Sequence, residues 1–128
     1  MSSTISLSLK VNVTGGPGVL VSKAITVEAY DKIDVLVAAG AADMSVDIQP
    51  GLSSQIQLLC ITSSEYGKDL KYKVHDTAST PIALDQAQLF LGQGAVGLLG
   101  TALDKLFFTN NLTKDASIEI LVGRDATP

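Results

Sequence analysis

The sequence predicts an all-β protein: an antiparallel β-sandwich, jelly-roll-like, of about 7–8 strands with at most one short helix. Three observations lead there. Apolar and polar residues alternate with period two in most segments. Clusters of Gly, Pro, Asn, Asp and Ser interrupt that alternation at intervals of roughly ten residues. Little of the chain reads as helix. Residues 1–128 fit a single domain, long enough to bury a real core.

The first strand is the clearest. From Thr4 to Thr14, Ile5, Leu7, Leu9, Val11 and Val13 share one face, while Ser6, Ser8, Lys10 and Asn12 share the other. That pattern predicts a half-buried strand on the order of 30 Å long. Gly15-Gly16-Pro17-Gly18 makes a turn. Alternation resumes from Val19 to Val27. Tyr30-Asp31-Lys32 reads as a turn, and Ile33 to Val37 as a third strand.

Ala38 to Ala42 is a small-residue spacer. Met44, Val46 and Ile48 predict a short strand that stops at a Pro50-Gly51 turn. Ile56 to Thr62 follows, with Leu58 and Cys60 in the phase of Ile56. Ser63 to Asp69 is a polar loop. Leu70, Tyr72 and Val74 alternate with Lys71, Lys73 and His75, a strand with a basic outer face. Leu84 to Leu91 reads as either a short helix capped by Asp85 or a buried strand, and 84–105 stays open between helix and strand. Leu106 to Thr109 and Ser117 to Val122 read as a closing hairpin.

Composition narrows the function. Net charge is −4, which argues against nucleic acid and anionic membranes as partners. Charged residues are 17% of the chain, below the roughly 25% of an ordinary domain. Hydrophobic residues reach 46%, yet no apolar run is long enough for a spanning helix. No secretory signal is visible at Met1 to Thr4. The expected sink for the apolar surplus is a second chain. With one cysteine, Cys60, no internal disulfide can form, and its apolar neighbours predict a buried, inert thiol.

Chemistry-bearing patterns are sparse. Gly92-Gln93-Gly94-Ala95-Val96-Gly97 matches a dinucleotide fingerprint, within the most apolar stretch of the chain. A Rossmann half needs a second strand ending in an acid, then a third strand. Asp115 precedes the Ser117 strand, and Asp125 leaves no room after it. The segment is expected to be a glycine-rich turn where backbones pack closely, with no cofactor. His75 and Cys60 are too few for a metal site, and His75 with Asp76 reads as a surface pair. Asp31 with Asp34, and Asp43 with Asp47, lack the EF-hand pattern, although a loop-built calcium site stays open. No catalytic residue and no metal ligand are assigned.

The expected function is therefore a non-enzymatic structural subunit of a homo-oligomeric assembly, most naturally a phage or virus particle protein of the decoration, capsid or tail kind. Its partners would be itself and a larger particle shell; its location would be the virion or another assembled particle, made in the cytoplasm. Candidate interface residues are Phe107, Phe108, Leu98, Leu99 and Arg124. Phe107 and Phe108 point to opposite faces, so one is core. Met1 to Thr4 and Arg124 to Pro128 are candidate arms, Arg124 a bidentate anchor. The alternative is a sandwich that binds a carbohydrate or small ligand through its loops, with Tyr66 as the best contact.

Overall fold

A computed structural model describes residues 2–125. Strand β1 (Ser3–Asn12) pairs antiparallel with β2 (Gly18–Val27) along its whole length, from Ser3 opposite Val27 to Asn12 opposite Gly18. The turn between them closes on a hydrogen bond from Val13 N to Pro17 O of 3.0 Å, with Gly15 at φ 71°. This hairpin is a sheet by itself; neither β1 nor β2 joins a further strand among the described residues.

The remaining strands are β3 (Ala29–Val37), β4 (Met44–Leu52), β5 (Ile56–Ser63), β6 (Leu70–Val74), β7 (Ile82–Ala83), β8 (Gln88–Leu91), β9 (Ala102–Asn110) and β10 (Ala116–Arg124). They form two four-stranded antiparallel sheets, ordered β3-β10-β5-β8 and β4-β9-β6-β7. Counted from β3, the first sheet runs first-eighth-third-sixth and the second runs second-seventh-fourth-fifth. That is jelly-roll order. The sandwich predicted from alternation is present; with the separate hairpin, the described residues hold ten strands rather than seven or eight. The open stretch 84–105 resolves as mixed: Gln88–Leu91 is strand β8, Gln93–Val96 is one turn of helix, and β9 begins at Ala102. Among the described residues helix is confined to α1 (Gln93–Val96) and a 3-10 turn at Gly97–Leu99, apart from a second 3-10 turn at Ser53–Gln55.

Each sheet turns its apolar phase inward. Ala116, Ile118, Ile120 and Val122 of β10 meet Leu106 and Phe108 of β9 and Leu70, Tyr72 and Val74 of β6 in one buried cluster. Tyr72 and Phe108 stack at a tilt, ring centroids 5.8 Å apart. Burial pushes the Tyr72 phenol far up, so it stays protonated and donates to Gln88 Oε1 at 2.5 Å. A buried hydroxyl with a partner avoids the desolvation penalty.

Four local readings are corrected. Tyr30-Asp31-Lys32 is strand, because β10 pairs with β3 back to Ala29. Pro50 and Gly51 lie inside β4, at a register shift between Asp47 and Gly51. A second irregularity, opposite Gly123 and Arg124, switches the phase of β5. Ile56, Leu59 and Ile61 therefore join the core, while Leu58 and Cys60 pair with Gly123 and Leu121 on the outer side. Finally, β9 and β10 are not a hairpin but belong to opposite sheets. Asn110 holds the crossover: its buried amide donates to Val37 O at 3.0 Å and Lys114 O at 2.9 Å and accepts from Leu112 N at 2.9 Å.

Candidate interaction surface

The hairpin has two unlike faces. Register puts Ile5 with Ile25, Leu9 with Val21 and Val11 with Val19 on one side, and Thr4 with Thr26, Ser6 with Ala24 and Ser8 with Ser22 on the other. The first face is apolar but for Lys23, opposite Leu7, and Ser3, opposite Val27 at the base. Its base is covered. A Cβ built on Gly123 of β10 would lie 2.8 Å from Ile5 Cδ1, 3.4 Å from Val27 Cγ1 and 3.6 Å from Leu58 Cβ. Ile5 and Val27 thus rest on the outer face of the β3-β10-β5-β8 sheet, at a position where a missing side chain admits them. Beyond the base the cover ends. Leu9 is 42% exposed, Val11 52%, Val13 60% and Val19 61%.

The sheet under the hairpin base carries a second apolar area. Its outward positions include Leu89, Leu91, Leu58, Cys60 and Leu121, cross-strand neighbours by register, with Tyr30 and Leu36 exposed on β3. Asp34 and Glu119 face each other in the next row, with Lys32 Nζ 2.7 Å from Asp34 and 3.7 Å from Glu119. Charge is also split between hairpin and body. Residues 2–27 hold Lys10 and Lys23 and no carboxylate, a charge of +2, so the rest of the chain carries −6 and the whole −4.

The interface residues named from sequence are scattered. Phe108 is fully buried beside Tyr72 and cannot meet a partner; its inward phase on β9 makes it core. Phe107 takes the outward phase, on the opposite sheet from the hairpin base, in a shallow pocket of about 160 Å³ with Lys71, Lys73 and Pro81. Leu98 is 83% exposed, whereas Leu99 packs against the core. Arg124 is already engaged, its Nε donating to Asp31 at 2.7 Å across the β10–β3 pair. That pairing, and β1 beginning at Ser3, corrects the arm reading for Ser3, Thr4 and Arg124; Met1 and 126–128 lie outside the described residues.

Tyr66 folds its loop down. Its hydroxyl accepts from Ser63 N at 3.0 Å, and its ring lines an open cleft of about 330 Å³ with Glu65, Asp69 and 111–114. His75 sits at φ 75°, its Nδ1 2.7 Å from Asp104 Oδ1, so its partner is Asp104 rather than Asp76. That carboxylate raises the His75 pKa, and the imidazole lowers the Asp104 pKa in return. Cys60 is half-buried rather than buried, and desolvation pushes its thiol up. Three of the four acids in the two pairs hold cations of the chain itself: Asp31 has Arg124, Asp34 has Lys32 and Asp43 has Lys73. Among the described residues no three His, Cys, Asp or Glu side chains converge as metal ligands.

The Gly92 to Gly97 match is a turn between the two sheets. The helix after it is Gln93–Val96, one turn only, and β9 then enters the opposite sheet antiparallel. Among the described residues no parallel strand follows to build a nucleotide crevice. Gly92 (φ 88°) and Gly100 (φ 112°) are needed for their backbone conformation. Close backbone packing is not the reason: added Cβ atoms at Gly92, Gly94, Gly97 and Gly100 would touch nothing.

The sequence did carry a signal for the outer face. Leu36 lies between Val35 and Val37, and Leu121 between Ile120 and Val122, each an apolar residue in the outward phase of an alternating strand. Among the described residues no helix is long and apolar enough to cross a membrane. No protein-family model matches the chain, and no curated protein matches it.

Proposed function

We propose that this chain is a non-enzymatic structural subunit of a homo-oligomeric assembly, a phage or virus particle protein of the decoration, capsid or tail kind. The observation that carries the reading is the hairpin's apolar face, left uncovered from Leu9 through Val19. A two-stranded ribbon with one apolar face is marginal alone in water, and a neighbouring subunit supplies the missing layer. The jelly-roll body adds support by fold-level analogy, since capsid proteins use this architecture, although lectins and cupins use it too. The partner is a second copy, and the location is the assembled particle.

The test is light scattering on a sizing column across a dilution series. A discrete oligomer that survives dilution is expected. A 13.3 kDa monomer at every concentration would end the self-assembly reading.

The cleft beside Tyr66 favours the alternative, a carbohydrate or small polar ligand held by loops. Under that reading Tyr66→Ala abolishes ligand binding in a glycan screen and leaves the mass unchanged. Under the assembly reading Tyr66→Ala changes neither.

A further inference from the structure

Resting on the assembly reading, we infer that the apolar face of each hairpin docks on the outer face of the β3-β10-β5-β8 sheet of a second copy, with Lys23 set against Asp34 and Glu119. Three observations meet here. First, this contact already exists at the hairpin base, where Ile5 and Val27 pack on Gly123 and Leu58 of the same sheet face. A neighbour's hairpin continues that packing across the rest of the face.

Second, the charges are complementary. Lys23 is the one charge on the hairpin's apolar face, and Asp34, Glu119 and Lys32 together carry −1 in the acceptor. The opposite sheet fits less well, because Lys71 and Lys73 stand on its outer face beside Phe107.

Third, the spacings agree. Lys23 and Val19 are four residues apart on β2, about 13 Å at roughly 3.3 Å per residue. Glu119 and Leu89 are separated by two strand spacings and one row of the sheet. At roughly 4.8 Å per strand that diagonal is about 12 Å. A hairpin crossing the strands therefore sets Lys23 over the acids while Val11 and Val19 cover Leu89. Leu9 and Val21 then lie over Leu121 and Cys60.

Cys60 provides the test, as the only cysteine of the chain. Leu9→Cys is made in the full-length protein and oxidised at the concentration where light scattering detects the oligomer. A disulfide from the introduced thiol of one chain to Cys60 of another is expected, identified by peptide mass, and lost with Cys60→Ser. Ser8→Cys, on the other hairpin face, should form no link to Cys60. Glu119→Lys should weaken association by up to about fivefold, with recovery on adding Lys23→Glu. An oligomer in which the Leu9→Cys variant forms no link to Cys60 overturns this acceptor face and leaves self-assembly standing. A link within one chain also overturns it, since the hairpin would then cover its own sheet. A monomer at all concentrations overturns both readings.

Discussion

Replacing Val19 by Asp should separate association from folding. Val19 is 61% exposed in the single chain, so a carboxylate there stays in water and the fold survives. The local cost is a loss of strand propensity of about 1 kcal/mol or less. Under the proposed docking the same position is covered. Fully burying a Val or Leu side chain is worth about 1.5–3 kcal/mol. Leu9, Val11, Val13 and Val19 are each near half exposed, so docking returns roughly half of that apiece, about 3–6 kcal/mol per hairpin. Val19→Asp forfeits about 1 kcal/mol of this and adds a desolvation cost of about 2 kcal/mol for a partly desolvated carboxylate without a partner. A net loss near 3 kcal/mol weakens association by about a hundredfold. Sedimentation or light scattering over a dilution series reads that shift, and thermal unfolding at low concentration checks that the monomer is intact. Leu20→Asp is the control. Leu20 is 67% exposed, more than Val19, but it lies opposite Lys10 on the Ser/Thr face. The reasoning fails if Leu20→Asp dissociates the oligomer while Val19→Asp leaves it unchanged.

Other positions give outcomes of different kinds. Phe108→Ala should cost about 3–5 kcal/mol of folding stability by chemical denaturation, whereas Phe107→Ser should change neither stability nor mass appreciably. Asn110→Ala orphans Val37 O, Lys114 O and Leu112 N at the crossover, for about 1–3 kcal/mol and a melting point lower by roughly 4–12 °C. His75 should titrate above 6.5 by NMR, and Asp104 below 3.8. A raised histidine pKa makes its contribution complete below the unfolded value and lost as pH rises through the folded one. A lowered carboxylate pKa makes its contribution complete above the unfolded value and lost as pH falls through the folded one. The ion pair should therefore act between those two folded values, and His75→Gln should abolish the window, returning the Asp104 pKa toward its ordinary value.

Alternation made most of the strands legible, and its failures share a cause. It reports that two faces differ, not that either is covered. Ile5 to Val13 and Val19 to Val27 alternate as regularly as a strand of the core, yet only the base of that hairpin meets the body. Phase also cannot be carried past a bulge. Ile56, Leu58 and Cys60 share a parity in sequence, but the shift opposite Gly123 and Arg124 moves Ile56 to the other face from Leu58 and Cys60. Pairing partners are invisible to any local pattern, so β9 and β10 read as a hairpin when Asn110 turns the chain between sheets. The two phenylalanines show the same limit: adjacent Phe107 and Phe108 must face apart, but sequence cannot say which of them the second sheet covers, and the structure buries Phe108.

The hairpin and the body are stabilised on different terms. The body closes its own core: Phe108, Tyr72, Ile118 and Ile120 are inaccessible in a single chain, and a partner adds nothing to their burial. Leu9, Val11, Val13 and Val19 are the reverse case, apolar surface left exposed in a single chain, which a second copy covers under the assembly reading. Under that reading, linkage makes the stability of the hairpin, unlike that of the sandwich, a function of concentration. Hydrogen exchange should show it. Amide protection along β1 and β2 should rise with protein concentration, while that of Leu106, Phe108 and Ile120 stays constant. Protection of β1 and β2 equal to that of the core at high dilution would mean that the ribbon is stable without a neighbour, and the structural argument for assembly would lose its premise.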